Sequence, residues 1–231
     1  MTDTQDEQKQ AVGEAAAALV EDGMVVGLGT GSTARFLVDA LGRRVGDGLR
    51  IVAIPTSERT AEQARSVGIP LVGLDTHPRI DLTVDGADEI ELGSLALIKG
   101  LGGALLREKI VAAASKRLVI IADESKLVKR LGRRTPVPVE VVRFGWQATA
   151  AHLRELGAEP ILRHAGGDVP FITDGGNLIL DCKFDGIADP RASELAIDDV
   201  VGVVESGLFI NRAECALVAG IGGVRRIVRE G

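Results

Sequence analysis

The residue types that could do chemistry are densest between Val84 and Lys109. Val84-Asp85-Gly86-Ala87-Asp88-Glu89-Ile90 sets three carboxylates behind an apolar run, Leu82-Thr83-Val84, that reads as a short strand. Ile98-Lys99-Gly100-Leu101-Gly102-Gly103-Ala104-Leu105 follows and leads into Arg107-Glu108-Lys109. This reads as a glycine loop opening a helix, with Glu108 near the first turn. An ordinary core segment has no use for such a mixture. Three readings of Asp85, Asp88 and Glu89 stand open. They are acid/base groups, because carboxylates held close repel and one is driven to keep its proton; or a divalent metal cluster, although no EF-hand spacing supports it; or a solvated turn. Lys99 either steadies an oxyanion or phosphate or snorkels at the surface. Glu108 either pairs with a neighbouring base, is kept ionised by the helix dipole, or becomes more basic through burial.

A second candidate lies earlier. Gly29-Thr30-Gly31-Ser32-Thr33-Ala34 follows a buried strand and fits a Gly-x-Gly-x-x-Ala pattern, which aims backbone N–H groups and a helix N-terminus at an anion. A nicotinamide dinucleotide also wants an acid at the end of the next strand. Pro55-Thr56-Ser57 stands there, with Glu58 only beyond it. The hydroxyls of Thr30, Ser32 and Thr33 suit a terminal phosphate better than a buried pyrophosphate. A small anion is the favoured reading, beside a dinucleotide and a purely structural turn.

The elements that must position these groups follow from the patterning. The chain has 231 residues, 45% apolar and 26% charged, the balance of a globular protein with a sizeable core. Its formal charge of −6 argues against a general nucleic-acid binder. No apolar run approaches the roughly 20 residues a bilayer span needs, and the polar, acidic start is unlike a signal peptide. A cytoplasmic location is expected, with Cys182 and Cys215 as reduced core thiols. His77, His152 and His164 show no ligand spacing.

Helices are expected over residues 8–21, 34–41 (closed by Gly42), 61–66 and 108–116. They alternate with strands at residues 24–28, 51–54, 82–84 and 118–122. Strands separated by helices indicate a parallel, doubly wound sheet, and ligands sit beyond the carboxyl ends of such strands. The texture changes near Gly132-Arg133-Arg134-Thr135-Pro136. From there the order is strand 137–142, helix 147–156, strand 160–163, a hairpin-like pair (171–173 and 178–180), helix 192–197 and strand 200–204. With the hairpin-like pair counted as one strand, that order is the β-α-β-β-α-β of a ferredoxin-like unit. The expected fold is α/β: a Rossmann-like parallel-sheet domain, residues 1–131 plus 208–231, with a smaller inserted ferredoxin-like α+β domain, residues 132–207.

Taken jointly, Gly27-Leu28-Gly29-Thr30-Gly31-Ser32-Thr33-Ala34, Val84-Asp85-Gly86-Ala87-Asp88-Glu89, Ile98-Lys99-Gly100-Leu101-Gly102-Gly103-Ala104-Leu105, Arg107-Glu108-Lys109 and Pro138-Val139-Glu140-Val141 resemble type A ribose-5-phosphate isomerases, in that family's order. The resemblance implies interconversion of ribose 5-phosphate and ribulose 5-phosphate in the pentose phosphate pathway, with no metal and no organic cofactor. It implies that Glu108 shuttles a proton between C2 and C1 through an enediolate. Asp85 and Asp88 are implied beside the sugar, in ring opening and proton movement at its oxygens, and Lys99 at the developing oxyanion. Thr30, Gly31, Ser32 and Thr33, with Gly86, Ala87, Gly100, Leu101 and Gly102, are implied in substrate binding. So are Lys126 and Lys9. Leu101 stands where some members carry a third glycine, and its side chain is expected to point away. The partners so implied are a sugar phosphate and further copies of the chain, as homodimer or homotetramer, with no nucleic acid and no membrane. Competing readings are another sugar-phosphate enzyme of the same superfold, a phosphosugar-sensing domain of a regulator, and a nicotinamide oxidoreductase.

Overall fold

A computed structural model describes residues 2–230; residues 1 and 231, the outer limits of the expected first domain, lie outside the described residues. The backbone packs as two units. Of the described residues, the first comprises 2–87, 107–126 and 212–230, and the second 88–106 and 127–211.

The first unit is built on a six-stranded sheet in the order Gly223–Ile227, Cys215–Gly220, Leu118–Asp123, Leu82–Gly86, Val25–Leu28, Val52–Pro55. All neighbours are parallel except the edge pair Cys215–Gly220 and Gly223–Ile227. Leu118–Asp123 is buried along its whole length, as expected of an apolar strand covered on both faces. Helices Thr2–Ala17, Ala34–Gly46 and Glu58–Ser66 alternate with the early strands. Val12, Ala16, Leu37 and Leu41 pack with Val26, Leu28, Val84 and Val119 into one core.

Gly42 does not close its helix, which runs on to Gly46. A Cβ on Gly42 would lie 2.6 Å from the Val67 side chain, so glycine stands there for close packing rather than as a stop.

The second unit holds a four-stranded antiparallel sheet in the order Val203–Ser206, Val137–Val141, Leu178–Lys183, Glu159–Leu162. With helices Trp146–Glu155 and Pro190–Asp198 its elements run β-α-β-β-α-β. Residues 171–173 are not a strand. They lead into a turn closed by the Thr173 N–H on the Asn177 carbonyl, and the short hairpin here is His164–Gly166 with Val169–Pro170. A second small sheet joins Glu89–Glu91, Leu97–Ile98, Leu127–Val128 and Leu208–Phe209. It ties residues 88–106, 127–131 and 208–211 to this unit, and Ile98, Val128, Leu131 and Leu208 enter its core. The division by packing thus runs differently from the boundaries at 131 and 208.

Both cysteines are buried and free, and burial, followed by the charge of Asp181, pushes the Cys182 thiol up to about 12. Among the described residues no helix is long and apolar enough to cross a membrane.

Candidate active site

The first unit supplies one set of groups at the carboxyl ends of its adjacent strands. Val25–Leu28 and Leu82–Gly86 lie side by side in parallel, Leu28 opposite Val84. The chain leaves the first strand as Gly29-Thr30, and the Gly29 N–H donates to the Val84 carbonyl at 2.9 Å. The Thr30 N–H donates to Asp85 Oδ1 at 3.1 Å, and the Gly86 N–H donates to the same oxygen at 2.7 Å. Asp85 is only 1% exposed. Two backbone donors on one oxygen hold its carboxylate in a single orientation.

The Thr30 hydroxyl is turned inward. It lies 2.7 Å from the Thr56 hydroxyl and 3.1 Å from that of Thr60, and it donates to Ser57 Oγ at 2.8 Å. Thr60 Oγ1 donates to the Gly29 carbonyl and Thr56 Oγ1 to that of Leu28, both at 3.1 Å. Thr30 therefore shapes the loop through this buried hydroxyl cluster. The same cluster occupies the place where a dinucleotide would need an acid for its ribose.

The sequence signals Thr60 only through the capping spacing Ser57-x-x-Thr60; Ser57 Oγ accepts from the Thr60 N–H at 3.1 Å. Beyond the loop, Ser32 is exposed and Thr33 buried at the start of helix Ala34–Gly46. A concavity of about 390 Å³ is lined by Gly31, Ser32, Arg35, Asp39, Arg59, Thr60 and Gln63.

Glu108 is in the first turn of helix Leu105–Ala113 and only 3% exposed. On the same helix Arg107 pairs with Glu58 at the surface, at 2.8 Å. Lys9 lies on the first helix, with Asp6 one turn away at 3.7 Å. Lys126 ends a short 3-10 turn, Glu124–Lys126, directly after strand Leu118–Asp123. Asp123, which the sequence marks only as a strand end, is buried there. It accepts hydrogen bonds from the Ser125 N–H at 3.0 Å, the Ser125 hydroxyl, and Gln5 Nε2 at 3.4 Å.

The second unit carries the remaining groups. Asp88 Oδ2 accepts from the Leu101 N–H at 2.9 Å, closing the loop Lys99-Gly100-Leu101-Gly102 onto the acid. Lys99 is 2% exposed; its N–H donates to the Gly207 carbonyl at 2.9 Å and its ammonium lies 5.4 Å from the Phe209 ring centre. Gly100 and Gly103 have φ of +102° and +84°, a region that favours glycine. Leu101 is not among the positive-φ residues and leaves its side chain 44% exposed, so it fits the loop without strain.

Glu89 is not available for acid/base work. Buried to 1%, it accepts from the N–H groups of Gly132 at 2.8 Å, Arg134 at 3.1 Å and Thr135 at 2.7 Å, anchoring that loop. Among the described residues no group of three or more His, Cys, Asp and Glu side chains is arranged to hold a metal ion.

The first unit thus holds two buried acids, Asp85 and Glu108, and the second a buried lysine followed by glycine-rich backbone N–H groups, residue types that suit proton transfer beside a carbonyl. The family model for ribose 5-phosphate isomerase A (phosphoriboisomerase A) matches residues 52–223. The chain belongs to the ribose 5-phosphate isomerase A family. It is 62% identical to the ribose-5-phosphate isomerase A of Gloeobacter violaceus over 94% of both chains. The solved ribose 5-phosphate isomerase A of Methanocaldococcus jannaschii is 41% identical, with a TM-score of 0.93 over 96% of this chain and 99% of that one. A D-ribose-5-phosphate isomerase solved in complex with phospho-erythronic acid is 38% identical, with a TM-score of 0.94 over 97% of this chain and 99% of that one. Membership accounts for the joint occurrence of the motifs; the side-chain roles rest on chemistry.

Proposed function

We propose that the protein interconverts D-ribose 5-phosphate and D-ribulose 5-phosphate through an enediolate. The observation that carries this reading is Glu108, a carboxylate buried in the first turn of a helix that a glycine loop introduces. Moving a proton between adjacent carbons needs one positioned base, and a carboxylate serves both carbons from one face of a cis-enediolate. Glu108 takes the proton from C2 of the aldose and returns it to C1.

The charge that develops on the sugar oxygen needs a preorganised partner in a site poor in water. Lys99 supplies the cation, with the amides of the loop after it. Asp85 and Asp88 stand beside the sugar oxygens and move protons there, Asp85 aligned by its two backbone donors. The N-terminal end of helix Ala34–Gly46, with Gly31, Ser32 and Thr33, takes the phosphate, and Lys9 and Lys126 add positive charge for it. A phosphate handle remote from C1 lends binding energy that orients the chain for proton transfer. Gly86, Ala87, Gly100, Leu101 and Gly102 contribute backbone to the same substrate. The cycle uses neither metal nor organic cofactor.

We assign the enzyme to the cytoplasm as a homodimer or homotetramer, a mass that light scattering on the purified protein reads directly. Turnover of ribose 5-phosphate to the ketose, with chelator present and ribose as control, tests the activity. Fast conversion confined to the phosphorylated sugar is expected. Failure of folded protein to convert it would overturn the reading.

A further inference from the structure

The loop Lys99-Gly100-Leu101-Gly102 is gripped by a residue that no motif singles out. Arg163 follows strand Glu159–Leu162, and its Nη1 donates to the carbonyls of Gly100 at 3.0 Å and Leu101 at 3.1 Å. Its other edge is spoken for. Nε donates to Asp181 Oδ2 at 2.9 Å, and Nη2 donates to Asp181 Oδ1. The guanidinium carbon lies 5.8 Å from the centre of the Phe171 ring. That ring in turn abuts Gly103, where a Cβ would fall 2.4 Å from it. The Arg163 side chain is 12% exposed, so the fork is held in place on its ion-paired and apolar sides.

A trans peptide is planar and directs its C=O and N–H oppositely. With the Gly100 carbonyl on Arg163, the N–H of the same peptide points away, and it meets Asp88 Oδ2 at 2.9 Å. One peptide unit is thus held from both sides, by Arg163 and by Asp88. The next unit follows the same logic: its Leu101 carbonyl is on Arg163, so the Gly102 N–H is directed away from the guanidinium, at an exposed residue.

We propose that Arg163 is a positioning residue for the isomerisation. By holding two consecutive carbonyls it fixes the Leu101 amide on Asp88 and aims the Gly102 amide at an oxygen of the substrate that gains negative charge. This rests on the reading that Asp88 and the Lys99 loop serve the sugar. Arg163 touches no reacting atom. Its contribution is that the amides need no reorientation when charge develops, so its loss weighs on the transition state more than on the ground state.

The test compares Arg163→Ala and Asp181→Asn with wild type in kcat, KM for ribose 5-phosphate, inhibition by phospho-erythronic acid, and melting temperature. The carboxylate of that acid presents a charged, planar pair of oxygens like that of an enediolate. Deleting a direct oxyanion donor costs on the order of 10²–10³ in kcat, so losing its positioner is expected to cost about 10- to 100-fold. Arg163→Ala should lose that factor in kcat and a similar factor in affinity for the acid, with KM within about threefold of wild type. Asp181→Asn removes the charge but keeps one acceptor oxygen for the fork and spares both carbonyl contacts, so it should loosen Arg163 only partly and keep kcat within about threefold. Millimolar guanidinium should restore part of the Arg163→Ala rate.

An unchanged kcat in folded Arg163→Ala would overturn the proposal. So would an equal loss in Asp181→Asn with exchange at the Leu101 amide unaltered, because the effect would then not run through the grip on the carbonyls. If Arg163→Ala does not fold, Arg163→Lys carries the test, because its single nitrogen cannot reach both Asp181 and the two carbonyls, which the guanidinium meets with different nitrogens; full kcat there would overturn the proposal. Hydrogen exchange at the Leu101 amide is read in the same proteins and should quicken when Arg163 is replaced. Absence of turnover by wild type would strike the isomerase reading, whereas unaltered exchange would strike the role of Arg163.

Discussion

Gly29 stands so close to Asp85 that a Cβ on it would lie 2.1 Å from Asp85 Oδ1 and 2.5 Å from the Asp85 Cα. The absence of a side chain at one strand end is therefore what lets the carboxylate at the next strand end sit under the Thr30 N–H. Gly29→Ala should cost about 1–3 kcal/mol, as overpacking of a tight site does. It should also lower kcat by displacing Asp85. Gly46→Ala, in a helix and with nothing within 4 Å of a Cβ, is the control; it should leave the rate unchanged and the stability equal or higher by up to about 1 kcal/mol. Denaturant melts and steady-state rates of the two variants decide it; a Gly29→Ala protein with wild-type stability and rate would contradict the packing argument.

Glu89 offers a different kind of test, because its carboxylate serves three amides of one loop. A buried donor left without its acceptor costs about 1–3 kcal/mol, and the three here are not additive. Glu89→Ala is expected to destabilise the protein by about 2–5 kcal/mol and to quicken amide exchange at residues 132–135. Exchange that stays slow there would show that the loop is held by other means.

How much of this was legible beforehand depends on how local each feature is. Leu118–Asp123 and its parallel neighbours announce themselves as unbroken apolar runs because both faces are covered. Strands of two or three residues, such as Leu97–Ile98 and Leu127–Val128, carry no periodicity to read, so their small sheet and the packing boundary it sets went unseen. Gly42 looked like a helix stop because its reason, the approach of Val67, lies 25 positions away. The acids, the lysine and the glycine loop stood out by type and spacing. The inward turn of the Thr30 hydroxyl did not, since it is set by Thr56, Ser57 and Thr60 on a later segment. Arg163 gave no signal at all, because its partners are carbonyl oxygens more than 60 residues earlier.

Asp123 makes part of the stability depend on pH. Burial alone would push its carboxyl up, but the hydrogen bonds from the Ser125 hydroxyl and amide and from Gln5, with the charge of Lys126, outweigh it and hold the group below its ordinary value. A depressed folded pKa contributes stability that is fully present above the unfolded value of about 3.9. That stability is lost as pH falls through the folded pKa. Asp123→Asn should therefore be less stable than wild type at pH 7, by on the order of 1–3 kcal/mol for a charged, hydrogen-bonded group. The gap should narrow steadily below about pH 4. Melting temperatures of both proteins from pH 7 to pH 3 measure it, and a constant gap would show that the carboxylate charge is not what matters.

The proton-transfer role of Glu108 is the most direct to test, because its neighbours are not expected to move. Glu108→Gln keeps the shape of a side chain buried in the first turn of its helix and removes only the basic oxygen. A positioned general base contributes about 10²–10⁴-fold, so kcat should fall by at least that range while KM for ribose 5-phosphate stays within about threefold. Exchange of the C2 proton of the substrate with solvent deuterium should vanish in parallel, since the enediolate no longer forms. A variant that still washes out the C2 proton at the wild-type rate would move the base elsewhere. Loss of turnover with a large rise in KM would instead make Glu108 a binding group, and Asp85, fixed by the Thr30 and Gly86 amides, would be the next carboxylate to replace.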